Sequence, residues 1–193
     1  MSTSNCPRVT IANPTLCNEG GGGLGSSALI INFDSIYTEL TGQTTGFSLN
    51  VAQTEITGIS GVTETGYDSG FAYKHALKYG KSNYKIENVG FANGNRQYKT
   101  TITLYFPAVN SEKIQLLDQA NAGKTIILIQ DRNDQWLLFG KKYGLDLDTS
   151  NLDSGTVADD PNGLTLTFVG YESYPAYVVD TTAVNITSLI VTT

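Results

Sequence analysis

Alternation with a period of two runs through most of this chain, and it restricts the fold more than any other feature. In FAYKHALKY (71–79), Phe71, Tyr73, His75, Leu77 and Tyr79 fall on one side, and Ala72, Lys74, Ala76 and Lys78 on the other. Wound as a helix, those apolar groups would scatter around the cylinder; as a strand, they form one half-buried face. QYKTTITLYF (97–106) alternates the same way, with Tyr98, Thr100, Ile102, Leu104 and Phe106 opposite Gln97, Lys99, Thr101, Thr103 and Tyr105. YKIENVGF (84–91) precedes it, and Asn93-Gly94 between the two favours the positive φ of a hairpin turn. Pro107 stops the second strand.

One segment breaks the pattern. Asn110 or Ser111 caps a helix over about 110–122, Ile114, Leu117 and Ala120 form its apolar stripe, and Gly123 stands at the C′ position. KTIILIQD (124–131) is apolar on both faces, which predicts a central strand. DRND turns the chain and QWLLFG (135–140) returns, with Trp136 in the core. YGLDLD (143–148) reads as a short strand, 149–162 as a polar loop, GLTLTFVGY (163–171) as a strand and VNITSLIVT (184–192) as the last strand. Upstream, GFSLNVAQTEITGIS (46–60) reads as one or two strands around a polar stretch, and GVTETGYDSG (61–70) as a loop. Strands, one helix, then strands predict a mainly-β fold, a β-sandwich or barrel of two packed antiparallel sheets with one flanking α-helix.

The segment NEGGGGLGSS (18–27) raises a different possibility, because Gly20, Gly22 and Gly25 match the dinucleotide spacing. A phosphate loop needs a strand before it and a helix after it. Here Pro7 and Pro14 break the preceding run, the following SSALIINFDSI reads as a strand, and no Lys-Ser or Lys-Thr pair follows the glycines. The glycines therefore read as a flexible joint. They divide an N-terminal arm, 1–27, from a single β domain, 28–193, with a projecting loop or hairpin within about 40–70.

A chain of 193 residues with 40% hydrophobic content supports one core without staples. No opening apolar stretch follows a basic start and no run approaches a membrane span, so the expectation is a soluble chain made in a cytoplasm. Cys6 and Cys17, both in the arm and far from any histidine, read as free thiols. Asn185-Ile186-Thr187 matches a glycosylation pattern by chance.

The net charge of −6 is unevenly spread. Residues 71–99 carry Lys74, Lys78, Lys81, Lys85, Arg96 and Lys99 against Glu87. Residues 146–193 carry Asp146, Asp148, Asp153, Asp159, Asp160, Glu172 and Asp180 with no Lys or Arg. A basic middle and an acidic end form complementary surfaces on copies of one chain.

Catalytic chemistry finds little support. His75 is the single histidine and lies on the apolar side of its strand, the place of a satisfied core or interface histidine. One histidine and no Gly-x-Ser-x-Gly leave a serine triad without a basis. Asp159-Asp160 reads as a solvated pair rather than a glycosidase pair. DLDTSNLDSG (146–155) has the look of a calcium loop but lacks the glycine at its sixth position, and Val157 stands where the bidentate Glu belongs. No catalytic, cofactor-binding or metal-binding residues are assigned. The abundant tyrosines and polar loops such as 149–162 support a second reading, a carbohydrate- or host-surface-binding β module.

The stretch IILIQDRNDQWLLFGKKYGLDLDTSNLDSGTVADDPNGLTLTFVGYESYPAYVV (126–179) joins a hydrophobic strand, a polar turn, an aromatic return strand ending FGKKYGLDL, an Asn-Gly turn and LTLTFVGYE. It resembles tail-tube-like structural proteins of tailed phages of Bacteroidota, including ring proteins of crAss-like phages. The likeness covers roughly 70–180, carries no catalytic motif and does not extend to 1–65. It implies a non-enzymatic virion protein that self-associates into rings forming part of a tail or neck conduit. Adjacent tail or neck proteins are its implied partners, DNA passes through without sequence-specific binding, and no membrane or cofactor is involved. The basic 71–99 strands and the acidic C-terminal third are then expected at subunit contacts.

Overall fold

The computed structural model describes residues 24–38, 43–44, 46–61, 70–78, 80–90, 96–132, 134–155 and 162–191. In chain order the strands are β1 (Leu24–Asn32), β2 (Tyr37–Thr38), β3 (Gln43–Thr44), β4 (Phe47–Leu49), β5 (Glu55–Ile59), β6 (Ala72–Ala76), β7 (Asn83–Gly90) and β8 (Arg96–Pro107). Helix α1 (Ser111–Ala122) follows, then β9 (Thr125–Asp131), β10 (Trp136–Phe139), β11 (Asp146–Asp153), β12 (Gly163–Glu172), β13 (Tyr177–Val179) and the short helix α2 (Ile186–Leu189).

The strands form a seven-stranded sheet in the order β4-β5-β13-β10-β9-β1-β6, a four-stranded sheet in the order β11-β12-β8-β7, and a separate antiparallel pair, β2-β3. Neither of the two main sheets closes, so the fold is a sandwich rather than a barrel. The larger sheet is mixed, because β13 pairs parallel with β5; the smaller is wholly antiparallel.

The central place expected for 124–131 is found: β9 lies between β1 and β10. Its alternate residues serve two cores. Ile127 and Ile129 face the four-stranded sheet and pack with Ile102, Leu104, Phe106, Leu164, Leu166 and Phe168. Ile126 and Leu128 point the other way, into a second cluster with Phe33, Ile36, Phe71, Val184 and Leu189. Burial on both faces explains why this segment has no polar alternation.

Helix α1 begins as its sequence requires, with the Asn110 side chain accepting a hydrogen bond from the Lys113 backbone N–H at 3.0 Å. Two details differ from expectation. Ala120 is buried and Leu117 packs half-buried against the core as expected, but Leu116 is buried as well and Ile114 is 53% exposed. Gly123 has extended backbone, φ −151°, and so ends the helix without a left-handed residue.

Four further boundaries differ. Strand β1 begins at Leu24, which is buried, so Gly25 lies within a strand and the core starts four residues before 28. Strand β11 continues to Asp153 where a loop was expected; an edge strand exposed on both faces needs no apolar alternation. The segment expected as a final strand instead forms α2, because the Asn185 side chain accepts from the Thr187 backbone N–H and caps it. Strand β13, three residues long, was not anticipated. Within 40–70, β4 and β5 add to the edge of the large sheet, as the one-or-two-strand reading of 46–60 expects; 62–69 lie outside the described residues.

Candidate assembly surfaces

The four-stranded sheet carries the uneven charge of the chain at its two ends. At one end is β7, which pairs only with β8 among the described residues, and at the other is β11, which pairs only with β12. Both edge strands are eight residues long. An open edge presents unpaired backbone N–H and C=O groups to any strand that approaches in register.

The β7 side is basic. Lys85 lies on β7, Lys78 and Lys81 occupy the connection from β6, and Lys74 lies on β6, the neighbouring edge of the larger sheet; all four are exposed. Glu87 offsets one charge through an ion pair with Lys85 at 2.7 Å. That contact, a hydrogen bond reinforced by the lysine charge, lowers the Glu87 pKa. Lys99 stands on β8, one strand in from the edge, and is half-buried.

The β11 side is acidic, with Asp146, Asp148 and Asp153 all exposed. Lys124, just before β9, reaches Asp146 at 3.3 Å and also donates to the Tyr143 carbonyl at 3.0 Å. Two expected members of this surface belong elsewhere. Glu172 is buried, its Oε1 accepting from the backbone N–H groups of Lys142 and Tyr143 at 2.9 and 3.1 Å. Burial raises its pKa, and the two backbone donors and Lys141 oppose that rise. Glu172 is thus an anchor for the 140–144 turn. Asp180 follows β13 in the larger sheet, and its carboxylate accepts from the Thr182 hydroxyl and backbone N–H, which lowers its pKa.

His75 faces the space between the sheets, as its position in the alternation requires. Its ring meets Phe106 edge-on at 5.5 Å between centroids. Among the described residues, however, its buried Nε2 has no hydrogen-bond partner. The expectation of a satisfied core or interface histidine is met in its place between the sheets, while its Nε2 finds no partner among the described residues. Burial first, and the charge of Lys113 second, lower its pKa to about 4.

Among the described residues no group of three His, Cys, Asp or Glu side chains is arranged to hold a metal ion. The 146–155 segment is mostly β11, with its aspartates spread along an extended strand rather than converging in a loop. Cys6, Cys17, Gly20, Gly22 and the Asp159-Asp160 pair lie outside the described residues. No family model, curated protein or solved structure matches the chain.

Proposed function

We propose that this chain is a structural virion protein that self-associates into rings, each forming part of a phage tail or neck conduit for DNA. The observation that carries this reading is the pair of open, equally long edges of one sheet, with exposed lysines clustered beside β7 and exposed aspartates along β11. Like charge on both edges would keep copies apart, which is how many proteins protect such strands. Opposite charge on two different edges favours head-to-tail contact, and a repeated head-to-tail contact closes into a ring when its rotation divides a full turn. A net charge of −6 suits a passage that does not retain nucleic acid. Adjacent tail or neck proteins would stack on the ring faces.

The test is a charge exchange. One variant carries Lys81→Glu and Lys85→Glu; the other carries Asp148→Lys and Asp153→Lys. Each alone has two edges of like sign and is expected to stay monomeric by size-exclusion chromatography. An equimolar mixture is expected to regain the parent's elution volume. Assembly of either variant alone to the parent's size, or a mixture that remains monomeric while the parent assembles, contradicts the reading.

A further inference from the structure

A groove of about 430 Å³ opens on the seven-stranded sheet, where Trp136, the β9–β10 turn and the segment after β13 come together. Its size suits a small ligand. Trp136 stands on β10, between Gln130 of β9 and Val179 of β13. It packs against the second core cluster, yet it is half-buried. Among the described residues nothing bonds its indole N–H, and that N–H is not one of the buried atoms left without a partner. The N–H therefore reaches water. A tryptophan packed at one side and wet at the other suits a ligand that is itself part apolar and part polar.

The turns that supply the other groups are held in place. The Gln135 backbone N–H donates to the Asp131 carboxylate at 3.0 Å, which closes the β9–β10 turn. Asp134 takes φ +59°, a left-handed conformation that aspartate tolerates, and its Oδ1 accepts from Gln130 Nε2 at 3.3 Å. After β13, the Asp180 carboxylate accepts from the Thr182 backbone N–H at 2.9 Å and from its hydroxyl at 2.6 Å. The Asp180 carbonyl accepts from the backbone N–H of buried Val184 at 2.8 Å. Asn185 Oδ1 accepts from the Thr187 backbone N–H at 3.1 Å, which leaves the Asn185 amide hydrogens to donate. A ligand therefore meets groups that need little ordering.

The lining chemistry selects the ligand class. Among the described residues that line the groove, Asp134 alone is ionised. A lone carboxylate repels anions, and among the described residues no three His, Cys, Asp or Glu side chains gather to hold a metal ion. Quaternary ammonium ions are held by cages of several aromatic rings, and Trp136 is the one ring among the described lining residues. What remains is uncharged: the Thr181 and Thr182 hydroxyls, the Gln130 and Asn185 amides and the indole. These groups bond ligand hydroxyls as donors or acceptors, and the Asp134 carboxylate accepts from them. A sugar ring carries such hydroxyls around an apolar face that fits an aromatic side chain. We propose that this groove binds a neutral glycan, with a sugar ring against Trp136 and its hydroxyls bonded by Asp134, Gln130 and Asn185. The groove lies on a different sheet from the β7 and β11 edges, and the proposal does not rest on ring assembly.

The chain has one tryptophan, so its fluorescence reports on this groove directly. The test is a fluorescence titration of the full chain with maltotriose, cellotriose, mannotriose and chitotriose, with trigalacturonate as the anionic counterpart and choline as the cationic one. At least one neutral probe is expected to change the emission saturably in the millimolar range. Asp134→Asn keeps the shape of the side chain and the tolerance of positive φ, and is expected to weaken binding about fivefold by removing a charged acceptor. Ala183→Phe, which fills the groove from an exposed lining position, is expected to abolish binding. Circular dichroism verifies that each variant is folded. Absence of a saturable change with every neutral probe, tighter binding of trigalacturonate or of choline, or unchanged binding by both Asp134→Asn and Ala183→Phe overturns the proposal.

Discussion

Replacing His75 with phenylalanine removes most of the histidine's contribution to acid destabilisation between pH 7 and pH 4. The imidazole lies between the sheets, against Phe106 and under the field of Lys113, with Nε2 unpartnered among the described residues. Its pKa falls from 6.5 to about 4 on folding. A proton therefore binds the unfolded chain more tightly than the folded one. The stability associated with the neutral ring is complete above the unfolded pKa and is lost as pH falls through 6.5 toward 4. A shift of this size corresponds to about 3 kcal/mol between those limits. Phenylalanine keeps the edge-on contact with Phe106 and has nothing to protonate. Urea unfolding of both proteins at pH 7 and pH 4 measures the difference. Glu172, whose raised pKa acts in the opposite direction, is present in both and cancels. Equal losses in the two proteins would mean that His75 titrates as it does in the unfolded chain.

Phe168→Ala is expected to cost about 3–5 kcal/mol, the range for an aromatic ring removed from a packed core. Phe168 is wholly buried on β12, opposite Ile102 of β8, in the cluster that joins the two sheets. Thr165, half-buried on the outer face of the same strand, supplies the control: Thr165→Ala should cost about 1 kcal/mol or less, the span of strand propensities. The contrast tests the alternation itself. Comparable losses at both positions in urea unfolding would place the strand in a different register, because a one-residue slip exchanges its two faces.

Where alternation or its opposite was strong, the sequence was legible. Ile102, Leu104 and Phe106 face inward as their spacing requires, and the uninterrupted run Ile126–Ile129 sits at the centre of the larger sheet. The Asn110 cap was legible for the same reason, since the chemistry is local. Misreadings cluster where tertiary contacts decide. Leu116 rather than Ile114 is buried because the position of the sandwich chooses the helix face. Asn185 turns 186–189 into a helical turn through one side-chain bond, although Ile186, Leu189 and Ile190 suit a strand. The acidic residues of 148–153 hid a strand because an edge exposed on both faces leaves no apolar signature.

The candidate surfaces were half legible. The charge asymmetry is written in the order of residues, but its location at opposite edges of one sheet follows from strand order β11-β12-β8-β7, which no local pattern encodes. Glu172 belongs to the acidic third by sequence and to the interior by structure. Trp136 and Asn185 are distant in sequence and share a groove only because β13 pairs beside β10 and leads the chain into 180–186.

The most direct test of the central claim is the mass of the purified chain in solution, measured by sedimentation equilibrium across a wide concentration range at moderate salt. Assembly through complementary edges predicts one discrete species at a whole-number multiple of 20.7 kDa, seen as closed rings by negative-stain microscopy and dissociating as salt rises. A single species of 20.7 kDa at every concentration would contradict it.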